Sequence, residues 1–106
     1  MARLSHHAYL RVAKALADTQ RTRILERIAA ASDELCCSDL VSCFPVSQAT
    51  ISHHLKELVA AELVDRRKDG QFANFRFRGD IMQAYLDELK RRLHLGAAVG
   101  AGGARG

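Results

Sequence analysis

Two adjoining stretches decide how this chain folds, VSQATISHHLKEL (Val46–Leu58) and AELVDRRKDGQFANFRF (Ala61–Phe77). In the first, Ser47 is a favourable helix N-cap. Ile51, Leu55, Leu58 and Val59 follow at i, i+4, i+7 and i+8, which is the apolar stripe of one helix over residues 47–60. In the second the period shortens. Leu63 to Lys68 reads as a strand, Asp69-Gly70 as a tight hairpin turn, and Gln71 to Arg78 as the returning strand. On that strand Phe75 and Phe77 share one face, and Asn74, Arg76 and Arg78 share the other.

Upstream, Tyr9, Val12, Ala13 and Leu16 form one helical stripe and Ile24, Leu25, Ile28 and Ala29 a second, with Asp18 and Thr19 as caps between them. Ser32 to Glu34 is a polar break. Cys37 to Phe44 reads as a short third helix stopped by Pro45. Downstream, a last helix starts near Asp80 and carries Met82, Tyr85, Leu86, Leu89 and Leu93. The fold class is therefore mainly α with a small β-hairpin, in the order helix, helix, helix, helix, strand, strand, helix. Two helices joined through Phe44-Pro45-Val46-Ser47 make a helix-turn-helix, and the hairpin beside the second makes it winged. Residues 1–95 form this winged-helix domain, and residues 96–106 a flexible Gly/Ala-rich tail.

At 106 residues the chain matches one domain, by a prior of roughly one per 100–200 residues. With 48% hydrophobic and 26% charged residues it is neither a disordered acidic tail nor a disulfide scaffold. No apolar run approaches the ~18 residues of a membrane span, and Met1 to Leu10 has no secretory apolar region, so no membrane partner is expected. Three cysteines without an export signal point to reduced thiols and a cytoplasmic location. No nucleophile–base pair, carboxylate pair or phosphate-binding glycine loop marks an enzyme.

The net charge is +4, and its distribution says more than the total. Between residues 66 and 78, Arg66, Arg67, Lys68, Arg76 and Arg78 stand against Asp69 alone, the footprint of a polyanion contact. On helix 47–60 the apolar stripe leaves Gln48, Ala49, Ser52, His53 and Lys56 facing outward, with Thr50 near the start. Gln and Ser suit base edges and Ala a thymine methyl, while Lys56 suits a phosphate. Ser47 to Lys56 thus form the expected reading surface for double-stranded DNA, and the five hairpin cations neutralise phosphates. His6-His7 and His53-His54 are read as surface pairs, with His53 facing DNA. One short reading helix calls for a dimer on a two-fold site. A protein-interaction module on the same fold is the alternative from another class, but it does not need five hairpin cations.

These residues resemble the ArsR/SmtB family of bacterial winged-helix repressors. The resemblance rests on Lys14-Ala15-Leu16-Ala17-Asp18, Arg21 and Arg23-Ile24-Leu25, Glu34-Leu35-Cys36, and the two stretches quoted first, and it spans about residues 9–90. It implies a homodimer held by the first and last helices, here Tyr9–Leu16 and Ile81–Leu93. It also implies repression by operator binding, relieved by a metal, a metalloid or another thiol-directed signal. The family's last-helix zinc site looks absent, since Met82 follows Asp80 where a histidine belongs and His94 stands alone. The family's arsenic-type site is Cys-x-Cys-x-x-Cys. Cys36 matches its first ligand, while Ser38 and Val41 stand in the other two places.

Cys36, Cys37 and Cys43 are nonetheless the chain's only cysteines, within eight residues. Soft thiolates suit soft metalloids, so arsenite or antimonite is the expected inducer and no resident cofactor is required. Close thiols also suit oxidation, which leaves a redox-sensing repressor as the alternative. On an unbroken helix Cys36 and Cys43 would share a face about 10 Å apart along the axis. Joining them must bend the third helix, and Cys43, beside Phe44, also reads as a small core residue.

Overall fold

Ser5, Asp18 and Ser47 each end an extended segment and cap a helix. Their side-chain oxygens accept hydrogen bonds from the backbone N–H of Ala8, Arg21 and Thr50 at 3.1, 2.9 and 3.1 Å. A computed structural model describes residues 3–95, and the expected tail, 96–106, lies outside the described residues. The elements run α1 (His6–Ala15), α2 (Thr19–Ala30), β1 (Leu35–Cys36), α3 (Cys37–Cys43), α4 (Gln48–Ala60), β2 (Val64–Asp69), β3 (Phe72–Phe77) and α5 (Gly79–Arg92). This is the winged helix-turn-helix expected, with one addition.

The addition is β1. The polar break leads into two extended residues that pair antiparallel with β3, Leu35 opposite Phe75 and Cys36 opposite Asn74, so the sheet has three strands in the order β1-β3-β2. The hairpin turn also shifts by one residue. Asp69 pairs with Phe72, which leaves Gly70-Gln71 as the loop. Gly70 sits at φ +67, a conformation costly for a residue with a Cβ, while Gln71 keeps a negative φ.

The core is assembled from Val12, Ile24, Ile28, Leu40, Ile51, Leu58 and Leu63, all fully buried, and the wing joins it through Val64 and Phe75. Ala29 is exposed, so the α2 stripe is narrower than expected. The end of α4 is tied off by two backbone bonds, Glu62 N–H to Val59 C=O at 2.9 Å and Leu63 N–H to Leu58 C=O at 3.0 Å. That double closure is a Schellman motif, and it holds Glu62 at φ 63. The chain then turns directly into β2, whose start is fastened by Arg78 N–H to Leu63 C=O at 2.8 Å.

On the far side α1 packs along α5. Tyr9 and Tyr85 stack at 5.2 Å and the Arg92 guanidinium lies 3.8 Å from the Tyr9 ring centre. Glu88, buried, is held by Arg91 and Arg92. Their hydrogen bonds, that from Arg91 foremost, hold its carboxyl down at about 2.

Candidate nucleic-acid interface and thiol groove

α4 turns Ile51, Leu55 and Leu58 into the core and leaves Gln48, Ala49, His53 and Lys56 exposed, with Thr50 and Ser52 half-buried. The outward face expected of this helix is therefore exposed or half-buried, with two refinements. The Ser47 hydroxyl donates to Thr50 Oγ1 at 3.0 Å while capping the helix, so both hydroxyls are engaged within the chain. His54 is buried, not a surface residue, because position 54 adjoins the apolar stripe and faces the start of α2. Its Nε2 lies 4.0 Å from the Asp18 carboxylate and its Nδ1 has no hydrogen-bond partner among the described residues. Burial lowers its pKa.

The wing holds the five expected cations, but unequally. Arg67 forks onto Glu34, Nε to Oε2 at 2.8 Å and Nη2 to Oε1 at 2.7 Å. That bond holds the Glu34 carboxyl below its ordinary range and raises Arg67. Arg76 reaches its cross-strand partner Asp65 at 3.2 Å, and Arg78 bonds Asp80 at 2.9 Å and Asp65 at 3.4 Å. Among the described residues only Arg66 and Lys68 of the five lack a carboxylate partner. The five cations expected to neutralise phosphates thus differ in their surroundings. Carboxylates compete for three of them, though such exposed pairs are weak enough to exchange. Glu34 could not be paired with Arg67 from sequence, since 33 positions separate them and only the β1–β3 pairing brings them together.

Beside the exposed face of α4 is a groove of about 440 Å³. Cys36, Cys37, Ser38 and Val41 line one part of it, Gln48 of α4 another, and Phe72 of the wing a third. Cys36 Sγ lies 3.3 Å from Ser38 Oγ, a hydroxyl able to donate to a thiolate, and that contact lowers the Cys36 pKa. Burial raises Cys37. Cys43 is exposed and outside the groove, so its reading as a core residue does not hold. The structure therefore gathers two of the three thiols. Among the described residues no three His, Cys, Asp or Glu side chains come together as a metal site.

The family model described as "Bacterial regulatory protein, arsR family" matches residues 18–66. The arsenical resistance operon repressor of Staphylococcus aureus is 36% identical over 92 residues, covering 87% of this chain and 83% of that protein. The chain belongs to the ArsR family. It is a DNA-binding winged-helix transcription regulator and not an enzyme. An ArsR-like regulator from a Rhodococcus species superposes with TM-score 0.76 at 29% identity, over 84% of this chain and 82% of that one. Another solved structure, from Mycobacterium bovis, is described as a homodimeric winged helix-turn-helix DNA-binding domain of a possible ArsR-family transcriptional regulator. It matches with TM-score 0.66 at 26% identity, over 90% of this chain and 94% of its own. No described helix is long and apolar enough to cross a membrane.

Proposed function

We propose that this ArsR protein is a homodimeric, cytoplasmic repressor whose operator grip is released by a thiol-directed signal at Cys36 and Cys37. The observation that carries the reading is the shared groove. The two thiols line the same cavity as Gln48 of the reading helix and Phe72 of the wing, so chemistry at the sulfurs acts beside the DNA-facing surface. Coupling through the backbone follows from β1. Cys36 pairs with Asn74, and Asn74 pairs in turn with Arg67. A group added at Cys36 therefore pulls on the sheet that carries the wing cations. Gln48, Ala49, Ser52, His53 and Lys56 then read or position the duplex, with Ser47 and Thr50 fixing the helix start, and Arg66 and Lys68 lead the phosphate contacts.

Arsenite or antimonite is the inducer suggested by the arsenical resistance repressors among its relatives. The family's ligand positions fall in the groove here, as Cys36, Ser38 and Val41, with Cys37 as a second thiol in place of the two that are missing. Two thiolates still offer a soft pair, one fewer than the family's site. A redox signal is the second reading, favoured by the Ser38 contact that makes Cys36 the better nucleophile. In it, Cys36 and Cys37, or Cys43 across subunits, give two electrons and two protons to a peroxide as a disulfide forms.

The dimer is inferred from apolar side chains left exposed on α1, on α5 and just past the end of α5. Leu10 is 48% exposed, and Leu86, Leu93 and Leu95 are 40%, 58% and 55% exposed.

The test is fluorescence anisotropy of the reduced protein on its own promoter DNA, titrated with arsenite, antimonite, zinc and a mild oxidant, repeated on Cys36→Ser, Cys37→Ser and Cys43→Ser. Release by arsenite that is lost in the first two variants and kept in the third supports the metalloid reading. Release by oxidant alone, reversed by a thiol reductant, supports the redox reading. Release by neither overturns both.

A further inference from the structure

A second groove, of about 550 Å³, lies between α4 and the sheet, a volume in the range of small-molecule sites. Leu55 and Phe75, 3% and 4% exposed, line it together with Val59. So do two exposed cations, Lys56 and Arg66, neither with a carboxylate partner among the described residues. Cys37 borders both this groove and the one described above.

We propose that this groove is a binding site for a small organic anion with a flat apolar body and one carboxylate or sulfonate. The lining decides the class. An inorganic anion would use the cations and leave the apolar wall in water. A neutral apolar molecule would cover the wall and partly desolvate two unpaired cations, which costs free energy. A cation is repelled. Only a ligand carrying both parts matches both halves of the lining. The site goes beyond the thiol reading and does not depend on it. Its effect on DNA does rest on the DNA reading above, because Lys56 and Arg66 are assigned there to the duplex. The occupant and the operator therefore exclude each other.

The test uses the full reduced chain and 2-naphthoate as the probe, with uncharged 2-naphthamide as the comparison. The primary readout is the rate of iodoacetamide alkylation at each cysteine, followed by peptide mass spectrometry. Cys37 borders the groove, whereas exposed Cys43 lies outside it and serves as the internal reference. Saturating 2-naphthoate slows alkylation of Cys37 several-fold and leaves Cys43 unchanged. Arg66→Gln raises the half-protecting concentration by about tenfold, the scale of one charge-assisted contact. Val59→Phe, which fills the groove, abolishes protection, and the exposed Arg66→Gln change keeps the test readable if Val59→Phe fails to fold. In the same concentration range 2-naphthoate displaces a bound duplex. Equal protection of Cys37 and Cys43, equal potency of the amide, or indifference to Arg66→Gln overturns the site. Protection of Cys37 with the duplex still bound overturns the exclusion and leaves the thiol reading untouched.

Discussion

Arg67 Nη2 lies 2.7 Å from Glu34 Oε1, so the most tightly held cation of the wing is fastened to the residue just before the strand that carries the first cysteine. Removing that acceptor frees a charge for the duplex. Glu34→Gln is expected to tighten DNA binding several-fold at low salt. It should also steepen the dependence of log K on log salt by roughly 0.9, the contribution of one added phosphate contact. Anisotropy titrations between low and moderate salt measure this, and an unchanged slope means that Arg67 exchanges freely between Glu34 and DNA already.

Arg66 and Lys68, without carboxylate partners among the described residues, behave differently from the paired arginines. Arg66→Ala and Lys68→Ala each flatten the salt slope by roughly 0.9. Arg76→Ala flattens it less, since Asp65 already competes for that side chain. Equal effects at all three positions would show that the ion pairs yield completely to phosphate.

Glu62 occupies the left-handed region at φ 63, where a Cβ is unfavourable by about 1–2 kcal/mol. Glu62→Gly relieves that strain at the cost of a more flexible unfolded chain, for a net gain of about 0.5–1 kcal/mol. A urea midpoint shifted upward with unchanged slope is the expected result. A downward shift would assign Glu62 a favourable contact that outweighs its backbone.

Acid should unfold the protein in two ways. The Glu88 carboxyl is held at about 2 when folded, below its ordinary 4.5. Its contribution is therefore present above the ordinary value and fades as pH falls from there toward 2. His54 is also lowered, from 6.5, by burial. Its neutral form is favoured in the fold, so stability drops as pH falls below 6.5, where the unfolded chain takes up the proton first. Glu88→Gln lowers stability at pH 7 and converges on the parent in acid. His54→Leu loses less stability than the parent between pH 7.5 and 5.5. Denaturant midpoints across pH, at one fixed protein concentration, check both.

Much of the fold could be read from periodicity. The α4 stripe from Ile51 to Val59 and the change to alternation after Leu63 were sufficient for the helix-turn-helix and its wing. What escaped has physical causes. β1 has two residues, too few for any period, and it exists because β3 offers an edge. The loop moved to Gly70-Gln71 because strand register, not the Asp-Gly signature, placed the turn. His54 looked like the twin of His53, yet one residue around a helix rotates a side chain by about 100°, enough to pass from solvent to core. In the candidate site, the outward placement of the α4 residues was legible because they are what the core leaves over. The division of wing arginines into held and available was not, because their partners Glu34 and Asp65 lie in other strands or the segment before β1. The cysteines were visible as a cluster, but only the β1–α3 junction separates the two that share a groove from Cys43.

The strand order β1-β3-β2 has a consequence for how copies of this protein meet. β3 is flanked on both sides, whereas β1 and β2 are the edges, and β2 is the longer of the two, with a rim of backbone groups unpaired among the described residues that would accept a strand from another molecule. Arg66, Arg67 and Lys68 run consecutively along that strand. Arg67 is held by Glu34, so two such rims approaching each other would set Arg66 and Lys68, which lack carboxylate partners among the described residues, against the same pair. Like charges facing each other across such a rim oppose strand-to-strand pairing of two copies.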